Sequence, residues 1–169
     1  MGTNCRLTGG SWWSYYQAWV TAASGLDIDH MVPLAESWDS GASGWTAQRR
    51  EAYAYAQGAA TSLVAITARS NRSKADQDPA QWLPPAAEAH CRYVAEWAAT
   101  KLRWSLAADE AEVAALREVA VGCPEQTVTY EPAVQGPAPR GSARQRQGGP
   151  RRRDAPGREG RARQRSIGA

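Results

Sequence analysis

The stretch Leu26-Asp27-Ile28-Asp29-His30-Met31-Val32 alternates apolar and polar side chains, as a half-buried β-strand does, and Pro33 ends it. Further on, Leu63-Val64-Ala65-Ile66-Thr67 is a short run rich in β-branched residues, the mark of a second strand. Between them Thr46 is placed to cap a helix that runs to about Gln57, with Gly58 just past its end. Ser70 is placed as the N-cap of a short helix that begins at Asn71. Asp78-Pro79 and Pro84-Pro85 then break the chain.

Two longer helices follow. Residues 86–104 set Cys91, Val94, Trp97/Ala98 and Lys101/Leu102 at helical spacing, and residues 109–121 do the same with Val113, Leu116 and Ala120 before Gly122. The short turn at Ser105–Ala108 makes the pair antiparallel. Cys91 and Cys123 then both stand about 21–22 Å from that turn, level with each other. A Cys91–Cys123 disulfide is the pairing this geometry favours, with buried free thiols as the alternative and Cys5 left over.

The chain has 169 residues, 43% of them hydrophobic, which suits one packed domain and excludes a fully disordered chain. No window approaches the roughly 18 consecutive apolar residues of a membrane span, so no membrane association is expected. The N-terminus has no apolar signal region, and Arg6 stands where a myristoylation motif needs Ser or Thr. The net charge of +3 averages two unlike pieces. Residues 1–130 carry 10 basic and 14 acidic side chains, whereas residues 131–169 carry 10 Arg against 3 acids. From Glu131 the composition falls to Gly, Pro, Arg, Gln, Ala and Ser, too poor in apolar surface to offset the entropy of ordering. Residues 131–169 are therefore expected to be a disordered tail, either a solvated one or a polycation that gathers phosphates.

Chemistry concentrates at Asp29-His30, closing the first strand, and at Ser70-Asn71-Arg72-Ser73-Lys74 after the second. Their order can bring together a carboxylate, an amide oxygen and an imidazole. That is the set for phosphodiester hydrolysis assisted by a hard divalent cation. Such an ion accepts a few protein oxygens and keeps waters, and a neutral imidazole can take a proton from the attacking water. On this reading Asp29 and Asn71 hold one divalent metal ion, Mg2+ or alternatively Mn2+, His30 is the general base, and Arg69, Arg72 and Lys74 neutralise phosphates.

The residues that carry this chemistry also carry a family resemblance. The block Leu26–Glu36, with Trp38-Asp39-Ser40-Gly41-Ala42, then Ser70–Asp76, Asp78-Pro79-Ala80 and Trp82, resembles an actinobacterial-type HNH endonuclease family protein. It is similar to the C-terminal domain of the GmrSD restriction endonucleases. The likeness runs over about residues 4–123 and takes in Gly9-Gly10-Ser11-Trp12, Tyr15-Tyr16, Cys91-Arg92-Tyr93, Trp97, Lys101 and Trp104. It implies an α+β fold with a ββα-metal (HNH/His-Me finger) core, additional packed helices, and metal-dependent cleavage of DNA, with RNA as an open alternative. By position Asp29 and Asn71 match metal ligands and His30 the base.

The chain departs from the family pattern at Ser62, where Asn is usual before the second strand, at Tyr55-Ala56, where Asn-Asp is common, and at Gln17-Ala18. A catalytically weakened nucleic-acid-binding domain, or a truncated fragment, is the alternative those departures leave. The resemblance and the cysteines imply an exported protein, whose relatives begin with an export signal and a further upstream stretch. No protein partner is inferable. The His90-Cys91 pair has too few companions for a zinc site. The eight tryptophans, in a chain without Phe, are expected mostly in the core, with stacking on bases as the alternative. Arg49-Arg50 is either a solvated face or a DNA-backbone contact.

Overall fold

The two stretches with strand patterning pair with each other. The computed structural model describes residues 12–14, 18–56, 58, 59 and 61–134, with side chains from Val20 onward. Its elements are β1 (Trp12–Ser14), β2 (Ala18–Val20), β3 (Leu26–His30), α1 (Leu34–Asp39), α2 (Ala47–Ala54), β4 (Leu63–Thr67), α3 (Ala68–Lys74), α4 (His90–Trp104) and α5 (Glu110–Val121). The described residues form one compact unit of mixed helix and small sheets, an α+β arrangement. β3 and β4 are antiparallel, with Asp27 opposite Ile66, Asp29 opposite Val64 and His30 opposite Leu63. α3 follows β4 directly and packs on both strands. No described helix is long and apolar enough to cross a membrane.

Several boundaries differ from the sequence expectation, each for a local reason. β3 ends at His30, because Met31 and Val32 bend inward into the core, where they are 1% and 0% exposed. The cap of α3 is Thr67, whose hydroxyl oxygen accepts the Ser70 N–H at 3.3 Å; Ser70 therefore lies inside the first turn and Asn71 is not the first helical residue. Thr46 does cap α2, accepting from Arg49 N, but the helix stops at Ala54, three residues short of Gln57. The short helix α1 and the three-residue strands β1 and β2 carry too little periodicity to be read from sequence. Gly41, at φ +118°, makes the turn after α1 in a conformation that side chains disfavour.

The core gathers Met31, Val32, Tyr53, Ile66, Tyr93, Val94, Trp97 and Trp104. Trp45 and Trp82 pack against it, whereas Trp38 is half exposed; Trp12, Trp13 and Trp19 lie outside the residues with described side chains. α4 begins at His90 rather than at residue 86, after a 3-10 turn at Ala87–Ala89, α5 runs as expected, and the Cys91–Cys123 disulfide joins the pair with Cα atoms 5.5 Å apart. Of the neighbours Lys101 and Leu102, the lysine is the buried one and the leucine is exposed. Its ammonium reaches Glu36 Oε1 at 2.8 Å, Ser40 Oγ at 2.7 Å, the Ala107 carbonyl at 2.8 Å and Glu112 Oε2 at 2.6 Å. Trp97 Nε1 donates to the other Glu112 oxygen at 2.6 Å. The network ties α1 to α4 and α5. At the start of the segment expected to be disordered, Ala133 is buried and its N–H donates to the Arg103 carbonyl at 2.8 Å; residues 135–169 lie outside the described residues.

Three outcomes follow from this architecture. The disulfide closes a long loop, 32 residues in sequence separation, so Cys91→Ala with Cys123→Ala should lose about 3–4 kcal/mol of stability in urea unfolding on a loop-closure account; an unchanged midpoint contradicts it. Ala75 caps α3 at φ 48° and ψ −129°, a region natural to glycine, so Ala75→Gly should gain about 1 kcal/mol, read as a higher Tm. Glu96 is pushed up from 4.5 to about 7 by burial; its Oε1 accepts from Arg92 Nε at 2.8 Å, and its Oε2 has no hydrogen-bond partner among the described residues. The folded chain then keeps a proton that the unfolded chain has lost, so this group's contribution to stability is fullest below pH 4.5 and is lost as pH rises through about 7. Glu96→Gln should remove that loss, giving a Tm advantage that grows between about pH 5 and about pH 8; a constant difference contradicts it.

Candidate functional site

Strand alternation sends Asp27 and Asp29 to the same face of β3, the face that α3 covers. From α3, Asn71 and Lys74, three residues apart, meet them. Asn71 Nδ2 donates to Asp27 Oδ2 at 3.2 Å. Lys74 Nζ donates to Asp29 Oδ2 at 2.6 Å and to the His30 carbonyl at 2.6 Å. Asp29 and Lys74 are buried, whereas Asp27 and Asn71 are half-buried. Burial pushes the Asp29 carboxyl up, opposed by the Lys74 ammonium, the His30 charge and the His30 backbone N–H. The same burial pushes Lys74 down, opposed chiefly by Asp29.

His30, one residue further, turns its ring toward α2. Its Nε2 lies 3.0 Å from the Ala54 carbonyl, and a carbonyl only accepts, so Nε2 carries a proton and Nδ1 is the nitrogen that the neutral ring would leave free to accept one. The early end of α2 supplies that acceptor: the last carbonyls of a helix have no partner within it, and the Ala54 carbonyl bonds the imidazole. Tyr53 steadies the same spot. Its ring stacks on His30 with centroids 5.9 Å apart, its hydroxyl donates to the Val32 carbonyl, and burial pushes that phenol up.

Not every expected residue is where the chemistry wanted it. Asp29, His30 and Asn71 are gathered at the β3–α3 junction, but no hydrogen bond joins Asp29 to Asn71, whose amide bonds Asp27. Lys74, expected to neutralise phosphate, is 1% exposed and spends its ammonium inside the site. This corrects that expectation. Its signal was in the spacing, because a lysine three residues from Asn71 shares its helix face. Arg69 and Arg72 are exposed on the outside of α3. Arg49 and Arg50 lie over Trp45 and Trp38 and donate to the carbonyls of Trp104 and Trp45. Ser62 is buried with its hydroxyl unpartnered, and its carbonyl accepts the Met31 N–H at 3.0 Å. His90 Nε2 meets the Pro84 carbonyl at 2.7 Å. Asp27, Tyr53 and the Ala54 carbonyl are the contributors that motif reasoning passed over.

The donors suit a hard divalent cation. The Asp29 carboxylate and the Asn71 side chain, whose nitrogen is turned to Asp27, are oxygen-bearing groups on the one face, and the Lys74 ammonium shares that face. Among the described residues no group of three or more His, Cys, Asp or Glu side chains is placed to hold a metal ion.

The family model described as GmrSD restriction endonucleases, C-terminal domain, matches residues 8–119. The chain is also 40% identical over 121 residues to an uncharacterized secreted protein of Arthroderma benhamiae, an overlap of 71% of this chain and 59% of that relative. It thus spans about three-fifths of the length of the curated relative it matches. No solved structure matches. With two-thirds of its length under that family model, the chain belongs to the family of GmrSD restriction endonuclease C-terminal domains.

Proposed function

We propose that this chain is a metal-dependent HNH endonuclease with a ββα-metal core, formed by β3, β4 and α3, and that it hydrolyses phosphodiester bonds of DNA. The observation that carries the reading is the Nε2–H of His30 held by the Ala54 carbonyl, which leaves Nδ1 as the ring nitrogen able to act as a base, at the end of the strand that carries Asp27 and Asp29. Nδ1 takes a proton from the attacking water. The imidazolium that results keeps its Nε2–H on the Ala54 carbonyl. Asp29 and Asn71 would hold the cation, Mg2+ or Mn2+, with Lys74 sharing the Asp29 carboxylate. When bound, such an ion supplies positive charge to the phosphate oxygens and to the leaving O3′. Arg69 and Arg72, exposed on α3, are the side chains that take backbone phosphates.

The disulfide, together with the relative named as a secreted protein, supports an oxidising compartment. A second reading, a nucleic-acid-binding domain that no longer cuts, is favoured by one observation, the buried Lys74 seated on Asp29.

One assay separates the two. Under the first reading the chain nicks supercoiled plasmid with Mg2+ or Mn2+, EDTA stops it, and His30→Ala slows it by about 100-fold or more while DNA affinity is kept. A wild type that binds plasmid and never nicks it supports the second reading. A His30→Ala variant that cuts at the wild-type rate removes His30 from the base role. Labelled RNA in a parallel lane decides between the two nucleic acids.

A further inference from the structure

We infer that Asp27 is a positioning residue of the cation site: its carboxylate takes the Asn71 side-chain N–H and so leaves the Asn71 amide oxygen as the end available to a cation. The inference rests on the reading above and adds a residue to it. An asparagine amide has two ends of similar shape and opposite polarity, and only the oxygen end can ligate a metal. What chooses the end is the partner on the other side. A carboxylate accepts from Nδ2 and repels Oδ1, so the 3.2 Å contact between Asn71 Nδ2 and Asp27 Oδ2 sets the amide in one orientation. The bond is charge-assisted, and it draws electron density toward Oδ1, which makes that oxygen a better ligand.

Both partners sit on rigid elements. Asp27 is held opposite Ile66 in the β3–β4 ladder, and Asn71 lies in α3, whose capping residue Thr67 is the last residue of β4. The side chains that could compete are otherwise engaged. Lys74 is spent on Asp29 and the His30 carbonyl, and Arg69 and Arg72 are exposed. Asp27 and Asn71 are only half-buried, so their bond contributes little to folding, and its effect belongs to ligand orientation.

The test is a Mn2+ titration of the full chain by calorimetry, with thermal melts alongside. Asp27→Ala should weaken Mn2+ binding by about 10- to 100-fold with little change in Tm. Asp27→Asn keeps an acceptor oxygen for the same N–H and should restore affinity to within about threefold of wild type. Should the alanine variant fold poorly, Asp27→Val, a good strand former without an acceptor, makes the same comparison. Wild-type affinity in the Ala or Val variant overturns this inference and leaves the metal site standing. An Asn variant as weak as the Ala variant also overturns it, since charge or direct ligation would then be what Asp27 supplies. A wild-type chain that binds no Mn2+ overturns both this inference and the reading on which it rests.

Discussion

The ammonium of Lys74, buried between the Asp29 carboxylate and the His30 carbonyl, is the contact on which the site's geometry hangs. Neither charge gains from burial by itself: desolvation pushes the acid up and the amine down, and each is offset by the other. Removing one partner from a buried pair of this kind costs about 3–5 kcal/mol, because the other is left uncompensated. The pair draws α3 against the end of β3. Once α3 is there, helical spacing brings Asn71 to Asp27 without a further device.

The base is held by a different part of the molecule. α2 ends where its last residues, Tyr53 and Ala54, can brace the strand end, one through its ring and hydroxyl and the other through its carbonyl. Tyr53 in turn packs edge-on against Trp104 of α4, with centroids 5.2 Å apart. Lys101, one turn before Trp104, binds Glu36 of α1 and Glu112 of α5. The imidazole is thus fixed through the helical layer, whereas the acidic face is fixed through α3. A strand end gripped from two sides is a sound place for precise chemistry, since catalytic geometry depends on supporting groups as much as on the groups that react.

The parts of this arrangement that were legible in the sequence are those with a strong period. The alternation in residues 26–32 and the β-branched run at 63–67 locate the paired strands, and the spacing along α4 and α5 anticipates both helices and the disulfide between them. Short elements were not legible: β1, β2 and α1 have three to six residues each, too few for a pattern to repeat. For Lys74 and Lys101 helical spacing marks the face, but not that the ammonium is buried there. A lysine reads as surface until the acids that will bury it, Asp29, Glu36 and Glu112, are known to converge from distant parts of the chain. Of the candidate site, the motif pointed to Asp29, His30 and Asn71. The contacts that orient them come from Lys74, from the Ala54 carbonyl and from Asp27.

The claim that the β3–α3 face holds a cation is tested most directly by anomalous diffraction from a Mn2+-soaked crystal of the full chain. The account predicts one strong peak bonded to Asp29 and to the Asn71 amide oxygen at about 2.2 Å, the rest of its shell water, with His30 Nδ1 facing that shell. A map with no peak there, and with Lys74 still the only cation on Asp29, would contradict it.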